Sequence, residues 1–195
     1  MGMIEPAARK ALRSQPTRDR ILNAARRLFA EQGFERTTIR AVASAAAINP
    51  ALVMRYYGNK EELFAIAASI ELRIPDLTAV PLERRGEALV THFLERWEGP
   101  DAGDELPALL RAAATHDSAR DRIIAIIADQ AAPLIGAALP ADVREERIGL
   151  IVIQMSGLAM SRYVLRHPTV VALSREAIIR NIGSVVQQYL TFAPS

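Results

Sequence analysis

The segment Thr17–Phe64, TRDRILNAARRLFAEQGFERTTIRAVASAAAINPALVMRYYGNKEELF, decides the fold, because three short amphipathic helices follow one another in it. The first begins at the N-cap residue Thr17, carries apolar residues three and four apart, and ends at Gly33. Thr38 is a typical N-cap for the second helix. Asn49-Pro50 opens the third, with proline at the one helical position that suits it. Residues 38–57 therefore predict a helix, a tight turn and a second helix.

The whole chain is predicted to be all-α, with about nine helices, because its apolar residues recur at three and four rather than two. We expect three parts: a flexible N-terminal tail at 1–16, a helix-turn-helix domain at 17–64, and a larger C-terminal helical domain at 65–195. A capping box at Asn59 to Glu62 opens a fourth helix, which is expected to run through Ile70 and to end before Pro75. The later helices are predicted at 83–98, 105–117, 118–138, 141–166 and 174–191. Pro133 is expected to kink or split the third of these.

Charge is divided unevenly along the chain. Residues 1–60 carry eleven Lys and Arg against four acids, whereas residues 61–195 carry thirteen Arg against eighteen acids. A basic N-terminal part on an acidic remainder is typical of a protein that binds a polyanion with one end, although a solvated basic arm has the same composition.

The composition also excludes several kinds of site. The chain has no cysteine, so disulfides, thiolate metal sites and cysteine nucleophiles are excluded. The three histidines show no metal-ligand spacing, and the chain has no phosphate-binding loop. We therefore expect neither an enzyme nor a cofactor. The most apolar stretch, 148–160, is too short to span a bilayer, and no signal peptide is recognisable, so a cytoplasmic protein is expected.

The helix 50–57 has two faces with different expected tasks. Val53 and Tyr57 lie four residues apart and can pack on the first two helices. This leaves Ala51, Leu52, Arg55 and Tyr56 to project together, as in a helix that reads the major groove. Arg55 could bind a guanine edge or a phosphate. Leu52 and Ala51 could meet thymine methyl groups, and Tyr56 could reach a phosphate. Arg40 and Lys60 flank this helix and suit backbone phosphates, as do the free amides behind the Thr38 cap.

The residues Thr17 to Phe64 resemble the DNA-binding domain of the TetR family of repressors, over about a quarter of the chain. The resemblance includes the Gly33-Phe34 turn, Thr38, Tyr57 and Lys60-Glu61-Glu62-Leu63. Three departures stand out: Ala47 where the family usually has glycine, Leu52 for a small or hydroxyl residue, and Met54 for tyrosine. With the cap residue Asn49 included, the predicted DNA-binding residues are Thr38, Arg40, Asn49, Pro50, Ala51, Leu52, Arg55, Tyr56 and Lys60.

The resemblance implies that residues 65–195 form an effector-binding and dimerisation domain. Its last two helices would pair with those of a second subunit. Weak candidates for ligand contact are Phe93, Trp97, Arg111, Thr115, His116 and Met155. If Arg111 faced the cavity, a carboxylate ligand would follow. The candidates for the dimer interface are Ile151, Leu158, Arg162, Ile178, Ile182, Val185 and Tyr189, although the core of a monomer would use the same apolar stripes.

The function expected from the resemblance is a ligand-responsive transcriptional regulator, by family default a repressor, that binds a palindromic operator as a homodimer. Its partners would be double-stranded operator DNA, a second copy of the chain and an unknown small-molecule effector, with no membrane. Two other classes stay open: a helical-bundle small-molecule binding protein or enzyme, and a nonspecific DNA-binding protein. The second of these would bind all sequences equally and with a steep salt dependence.

Overall fold

The computed structural model describes residues 6–68, 70–100, 102 and 105–191, and within these ranges the chain is helical without strands. The all-α prediction is therefore confirmed. The helices are α1 (Pro6–Arg36), α2 (Ile39–Ala45), α3 (Pro50–Tyr57), α4 (Lys60–Ala67), α5 (Arg85–Glu98), α6 (Glu105–Ala113), α7 (Asp117–Ile126), α8 (Ala132–Ala137), α9 (Arg144–Ala159), α10 (Pro168–Val171) and α11 (Arg175–Thr191). Among the described residues, no helix is both long and apolar enough to cross a membrane.

Helix α1 begins earlier than the sequence predicted. Residues 6–16 are helical, so the expected tail is wrong over that stretch, and residues 1–5 of it lie outside the described residues. Pro6 suits a first helical position, and the alanines, arginine and lysine that follow are strong helix formers. Thr17 therefore lies inside α1 rather than at its N-cap. Gly33 does break the helix as expected, with φ of 78° and ψ of 174°.

Two π-helical turns interrupt the helices of the C-terminal part. Residues Ile127–Ala131 form one turn between α7 and α8, and Met160–Val164 form the other after α9. Pro133 lies in the first turn of α8, so the predicted break is present and is placed just before the proline. Proline cannot donate the backbone hydrogen bond of a continuous helix, and a widened turn accommodates that loss.

The core has two parts. One contains buried residues of α1 to α4 together with Leu106 and Leu109 of α6 and Ile126 of α7. The other joins α5, α8, α9 and α11. The N-terminal helices thus share an apolar core with α6 and α7. The predicted domain boundary after Phe64 lies within α4, and the division into domains stays a prediction.

The segment after α4 has no regular secondary structure. We call residues 70–76 the strap. The fourth helix was predicted to run through Ile70 and to end before Pro75; it does end before Pro75, but its last residue is Ala67. Within the strap, Gln130 supplies side-chain partners for the backbone. Its Oε1 accepts from Leu72 N at 2.8 Å, and its Nε2 donates to Ile70 O at 2.9 Å. Arg73 has φ of 53°, which is outside the right-handed helical region.

Candidate DNA-binding surface and effector cavity

The turn between α2 and α3 is built by local hydrogen bonds. Thr38 Oγ1 accepts from Ala41 N at 3.1 Å, and Asn49 Oδ1 accepts from Ala51 N at 2.8 Å, so both side chains cap helices as their residue types predict. Ala47 lies in the turn with φ of 51°, the conformation for which the resemblance implied glycine. Together these bonds set the direction in which α3 leaves the turn.

Arg20 of α1 fixes the same turn from outside. Its guanidinium donates to Ala46 O at 2.5 Å and to Ala47 O at 3.2 Å. A charge-assisted hydrogen bond holds such a turn more firmly than a neutral one. The spacing of residues along the sequence gave no signal for this contact, because 26 and 27 residues separate the partners.

Helix α3 has the two faces that its spacing predicted. Val53 and Tyr57 are buried, and Tyr57 Oη donates to Arg18 O at 2.9 Å. Burial raises the pKa of Tyr57 to about 12, although the nearby Arg18 charge opposes this shift. On the outward side Ala51 and Arg55 are exposed, as are Thr38, Arg40, Asn49 and Pro50 around them. The predicted surface therefore exists as one exposed face, and DNA contact by its residues stays a prediction.

Three side chains differ in detail from the expectation. Tyr56 is half-buried beneath the Arg18 guanidinium, which lies 5.3 Å from the ring centroid. Leu52 is also half-buried. Lys60 Nζ lies 4.1 Å from the centroid of the Phe34 ring and donates to Glu35 O at 3.3 Å, so part of its hydrogen-bonding capacity is already used.

Met54 was not among the predicted DNA-binding residues, yet it belongs to the outward face of α3. Its side chain is 46% exposed, one turn beyond Pro50. An exposed large apolar residue on such a face suits contact with base methyl groups. The sequence offered a signal for it, since Met54 lies three residues after Ala51 and is therefore on the same side of the helix.

A cavity of about 150 Å³ lies in the C-terminal part, among α5, α6, α7, the first π-helical turn and α9. Of the six predicted ligand residues, Phe93, Trp97 and Met155 line it. The Phe93 and Trp97 rings are stacked, with centroids 5.5 Å apart. Leu72 and Ile74 of the strap complete its wall, so the segment that leads from α4 is also part of the cavity.

The other three predicted ligand residues do not line this cavity. Arg111 is exposed on α6, whose Leu106 and Leu109 face inward, and Thr115 is exposed just after the end of this helix. The carboxylate ligand inferred from Arg111 is therefore removed. His116 lies at the contact between α7 and α4, where its Nε2 is 3.4 Å from Glu62 Oε2.

Two polar residues that the sequence did not suggest hold the strap against α5. His92 Nε2 lies 2.8 Å from Leu72 O, and Arg96 Nε donates to Glu71 O at 2.9 Å. Both residues line the cavity. They lie four apart on α5, which puts them on one face, but only the fold brings that face to the strap.

A buried ion-pair cluster adjoins the aromatic wall. Glu98 Oε1 accepts from Arg162 Nε at 2.6 Å and from Tyr163 Oη at 2.9 Å, and Arg175 lies 3.3 Å from Oε2. Partial burial raises the pKa of the Glu98 carboxyl, but the hydrogen bonds from Arg162 and Tyr163 and the two positive charges outweigh it and hold the pKa below its usual value. Trp97 stacks on Tyr163 with centroids 4.6 Å apart.

Several residues predicted for a dimer interface are instead used within the chain. Ile151, Leu158 and Ile178 are buried in the chain's own core, so their prediction as interface residues is wrong. Arg162 pairs with Glu98 and donates to carbonyl oxygens near α10, and its place in an interface stays a prediction. The remaining three residues are half-buried and stay candidates: Ile182, Val185 and Tyr189.

The chain resembles known regulators over both of its parts. Residues 21–67 match the model of bacterial regulatory proteins of the tetR family, and residues 83–190 match the tetracyclin repressor-like C-terminal domain. The HTH-type transcriptional regulator UidR of Escherichia coli K12 is 44% identical over 50 residues, 26% of each chain. The HTH-type transcriptional regulator HbdR of an Aromatoleum species is 33% identical over 79 residues, 40% of this chain and 33% of that one.

These curated relatives are thus matched over about a third of their length or less. A solved structure extends the likeness. The crystal structure of a TetR-family regulator from Streptomyces coelicolor A3 is 29% identical, with a TM-score of 0.51, and the match covers 97% of this chain and 99% of that one. Because the C-terminal model alone spans more than half of the sequence, this chain belongs to the TetR family of transcriptional regulators.

Proposed function

We propose that the protein is a ligand-responsive repressor that binds a palindromic operator as a homodimer in the bacterial cytoplasm. The observation that carries the proposal is the exposed face of α3, which carries Ala51, Met54 and Arg55 while Val53 and Tyr57 anchor the opposite face in the core. This helix is capped and anchored in the core, and its exposed face carries a small side chain, an apolar side chain and a guanidinium group. Such a helix suits insertion into a major groove.

Arg55 is proposed as the base-reading side chain. It is exposed in the last turn of α3, and a guanidinium can bind guanine O6 and N7 together. Thr38 and Arg40, at the start of α2, would bind phosphates and fix the register. Basic residues dominate the first 60 residues, which favours attraction of DNA to this end of the molecule.

The dimer is proposed to form through the exposed face of α9 together with α11. Gly149, Ile153 and Gly157 recur every four residues on α9. Ile153 is 66% exposed, and a Cβ added to either glycine would meet nothing within 4 Å. Small residues on both sides of an exposed isoleucine allow a partner helix to approach closely. On α11, Gln188 is exposed and Val185 half-buried.

Ile153→Glu tests this surface. A charge in the centre of an apolar interface should convert the dimer to a monomer, and the unfolding transition should change little because Ile153 does not lie in the core. Light scattering after size exclusion measures the mass. Ile124→Glu is the matched control, since Ile124 is 58% exposed on α7, outside the proposed interface. Equal dimerisation in both variants would contradict the assignment.

Ligand control is proposed to pass through the strap. Leu72 and Ile74 line the cavity, and the strap continues from α4, whose Leu63 and Ile66 are buried in the core shared with the helix-turn-helix. A ligand that binds better to an arrangement unfit for DNA would move the strap and α4, and would shift the equilibrium only by its difference in affinity for the two arrangements.

Gln130→Leu tests the coupling, because it removes both strap contacts of Gln130. The variant should still bind ligand, but ligand should no longer release operator DNA to the same extent. Ligand binding is measured by calorimetry and release by fluorescence anisotropy of a labelled duplex. Unchanged release would show that the strap does not transmit the signal.

DNA recognition itself is tested with Arg55→Ala against a panel of operator variants. Base reading by Arg55 predicts a loss of about 1–3 kcal/mol on the preferred operator and relaxed preference at one base pair. Arg111→Ala is the matched control, an exposed arginine outside the N-terminal helices. A uniform loss on all sequences with a smaller salt dependence would make Arg55 a phosphate contact. Equal binding of every duplex by the native protein would favour nonspecific binding.

A further inference from the structure

The volume of the effector cavity limits the size of the ligand that it can hold. This inference rests on the ligand control proposed above. Its volume is about 150 Å³. Cavities for drug-sized ligands are larger, about 300–1,000 Å³, whereas a dry apolar cavity of about 150 Å³ in a helical protein accommodates benzene. The volume therefore suits a ligand of about one aromatic ring and is too small to enclose a long acyl chain or a multi-ring compound.

The walls are almost entirely hydrocarbon. Leu109 and Ile126 contribute from α6 and α7, and Ile151 and Met155 from α9, next to the ring of Phe93. Among the described residues, no side-chain polar atom lining this cavity is buried without a hydrogen-bond partner. A ligand with many polar atoms would lose hydration on entering such walls, and little in them would compensate for that loss.

Two of the polar residues at the cavity, His92 and Arg96, already have partners in the strap. His92 contacts Leu72 O and Arg96 donates to Glu71 O. Of the described residues that line the cavity, Arg96 alone carries a permanent charge, and it is half-exposed, so solvent screens its guanidinium. An anionic ligand would have to compete with this solvation, which weakens the case for a carboxylate.

We propose that the effector is a small, uncharged and mostly hydrocarbon molecule of about one ring, bound between the Phe93 and Trp97 wall and α9. The stacked rings of these two residues offer an edge and a face to an aromatic ligand. This molecule would bind in the cavity that is proposed above to control DNA binding.

Trp97 is the only tryptophan in the chain, so its fluorescence reports directly on the cavity. We would titrate the DNA-free protein with toluene, benzoate, naphthalene and dodecanol, and would repeat each titration by calorimetry. Toluene should change the emission saturably. Benzoate should bind about tenfold more weakly or worse, because its carboxylate must leave water. Naphthalene and dodecanol should bind more weakly because they exceed the volume.

Two variants alter the volume in opposite directions. Ala159→Leu fills the cavity from α9, where Ala159 lines it and is buried, and should abolish toluene binding. Ala137→Leu, at an exposed residue of α8, is the matched control and should bind toluene as the native protein does. Met155→Ala enlarges the cavity and should move the preference from toluene towards naphthalene. This second variant keeps the test valid if Ala159→Leu fails to fold.

The proposal is overturned if benzoate or dodecanol binds as tightly as toluene, or if toluene gives no saturable signal by either method. These titrations contain no DNA, so their outcome is separate from that of the regulatory proposal. Toluene binding without operator release supports the ligand class and counts against ligand control. Release of operator by a charged compound supports ligand control and overturns the ligand class.

Discussion

Replacing Ala47 with glycine should stabilise the protein, although it removes a side chain. Ala47 has φ of 51° in the turn between α2 and α3 and is exposed, so its methyl group contributes strain and no core packing. A left-handed conformation costs a residue with a Cβ about 1–2 kcal/mol. Glycine loses about 0.5–1 kcal/mol more conformational entropy on folding. The difference between these two ranges is about 0–1.5 kcal/mol, so we expect a net gain in the free energy of unfolding near its centre, about 0.75 kcal/mol.

Urea denaturation followed by circular dichroism measures this gain, and the thermal midpoint should rise by about 1–4 °C in a chain of this size. Ala45→Gly is the matched control. Ala45 is the exposed last residue of α2, where glycine should lower the free energy of unfolding by up to about 1 kcal/mol. The same substitution two residues apart should thus have opposite signs.

DNA affinity should change little in Ala47→Gly. The contacts that hold the turn from outside use backbone oxygens, since Arg20 donates to Ala46 O and Ala47 O, and glycine keeps both atoms. The reasoning is refuted if Ala47→Gly leaves stability unchanged or lowers it while Ala45→Gly behaves as expected. That result would mean that the turn does not hold the left-handed conformation.

Three further predictions concern stability. Gly86→Ala should cost about 3 kcal/mol in urea denaturation, because its Cβ would lie 2.3 Å from the backbone oxygen of Gly183, which cannot move aside. Glu98→Gln should cost about 2 kcal/mol by leaving Arg162 with a neutral partner. Since the pKa of Glu98 is lowered in the fold, its contribution is present at neutral pH and is lost as the pH falls through the acidic range, so acid titration of stability should be flatter in the variant. The raised pKa of Tyr57 has the opposite consequence. The free energy of unfolding should fall between about pH 10 and about pH 12, and this fall should be smaller in Tyr57→Phe. An equal fall in the native protein and in Tyr57→Phe would contradict this prediction.

The helix-turn-helix was predictable because its signals are local. Thr38, Asn49 and Asn59 cap the helices that they precede, each through a bond to a backbone amide two or three residues later. The inward positions Val53 and Tyr57 follow from spacing alone. Even the strained Ala47 was flagged by its place in the motif. Such features depend on residues within one or two turns, which a sequence displays directly.

The C-terminal part was less predictable because its partners are distant in sequence. The apolar stripe on α9 indicated that this helix packs against other helices. It did not distinguish Ile151, which is buried in the chain's own core, from Ile153, which is exposed. Glu98 and Arg162 are 64 residues apart, so their pairing left no pattern. The strap is held by Gln130, which lies some 60 residues away in the sequence and supplies partners for its backbone.

The central claim is that two copies of α3 read a specific, symmetric DNA sequence. The most direct test is selection of bound DNA from a random duplex library by the purified protein at near-physiological salt. The account predicts enrichment of a palindrome whose half-sites lie about one helical turn, 34–36 Å, apart or a multiple of this distance. Recovery of DNA without any enriched sequence, or no recovery at all, would contradict it.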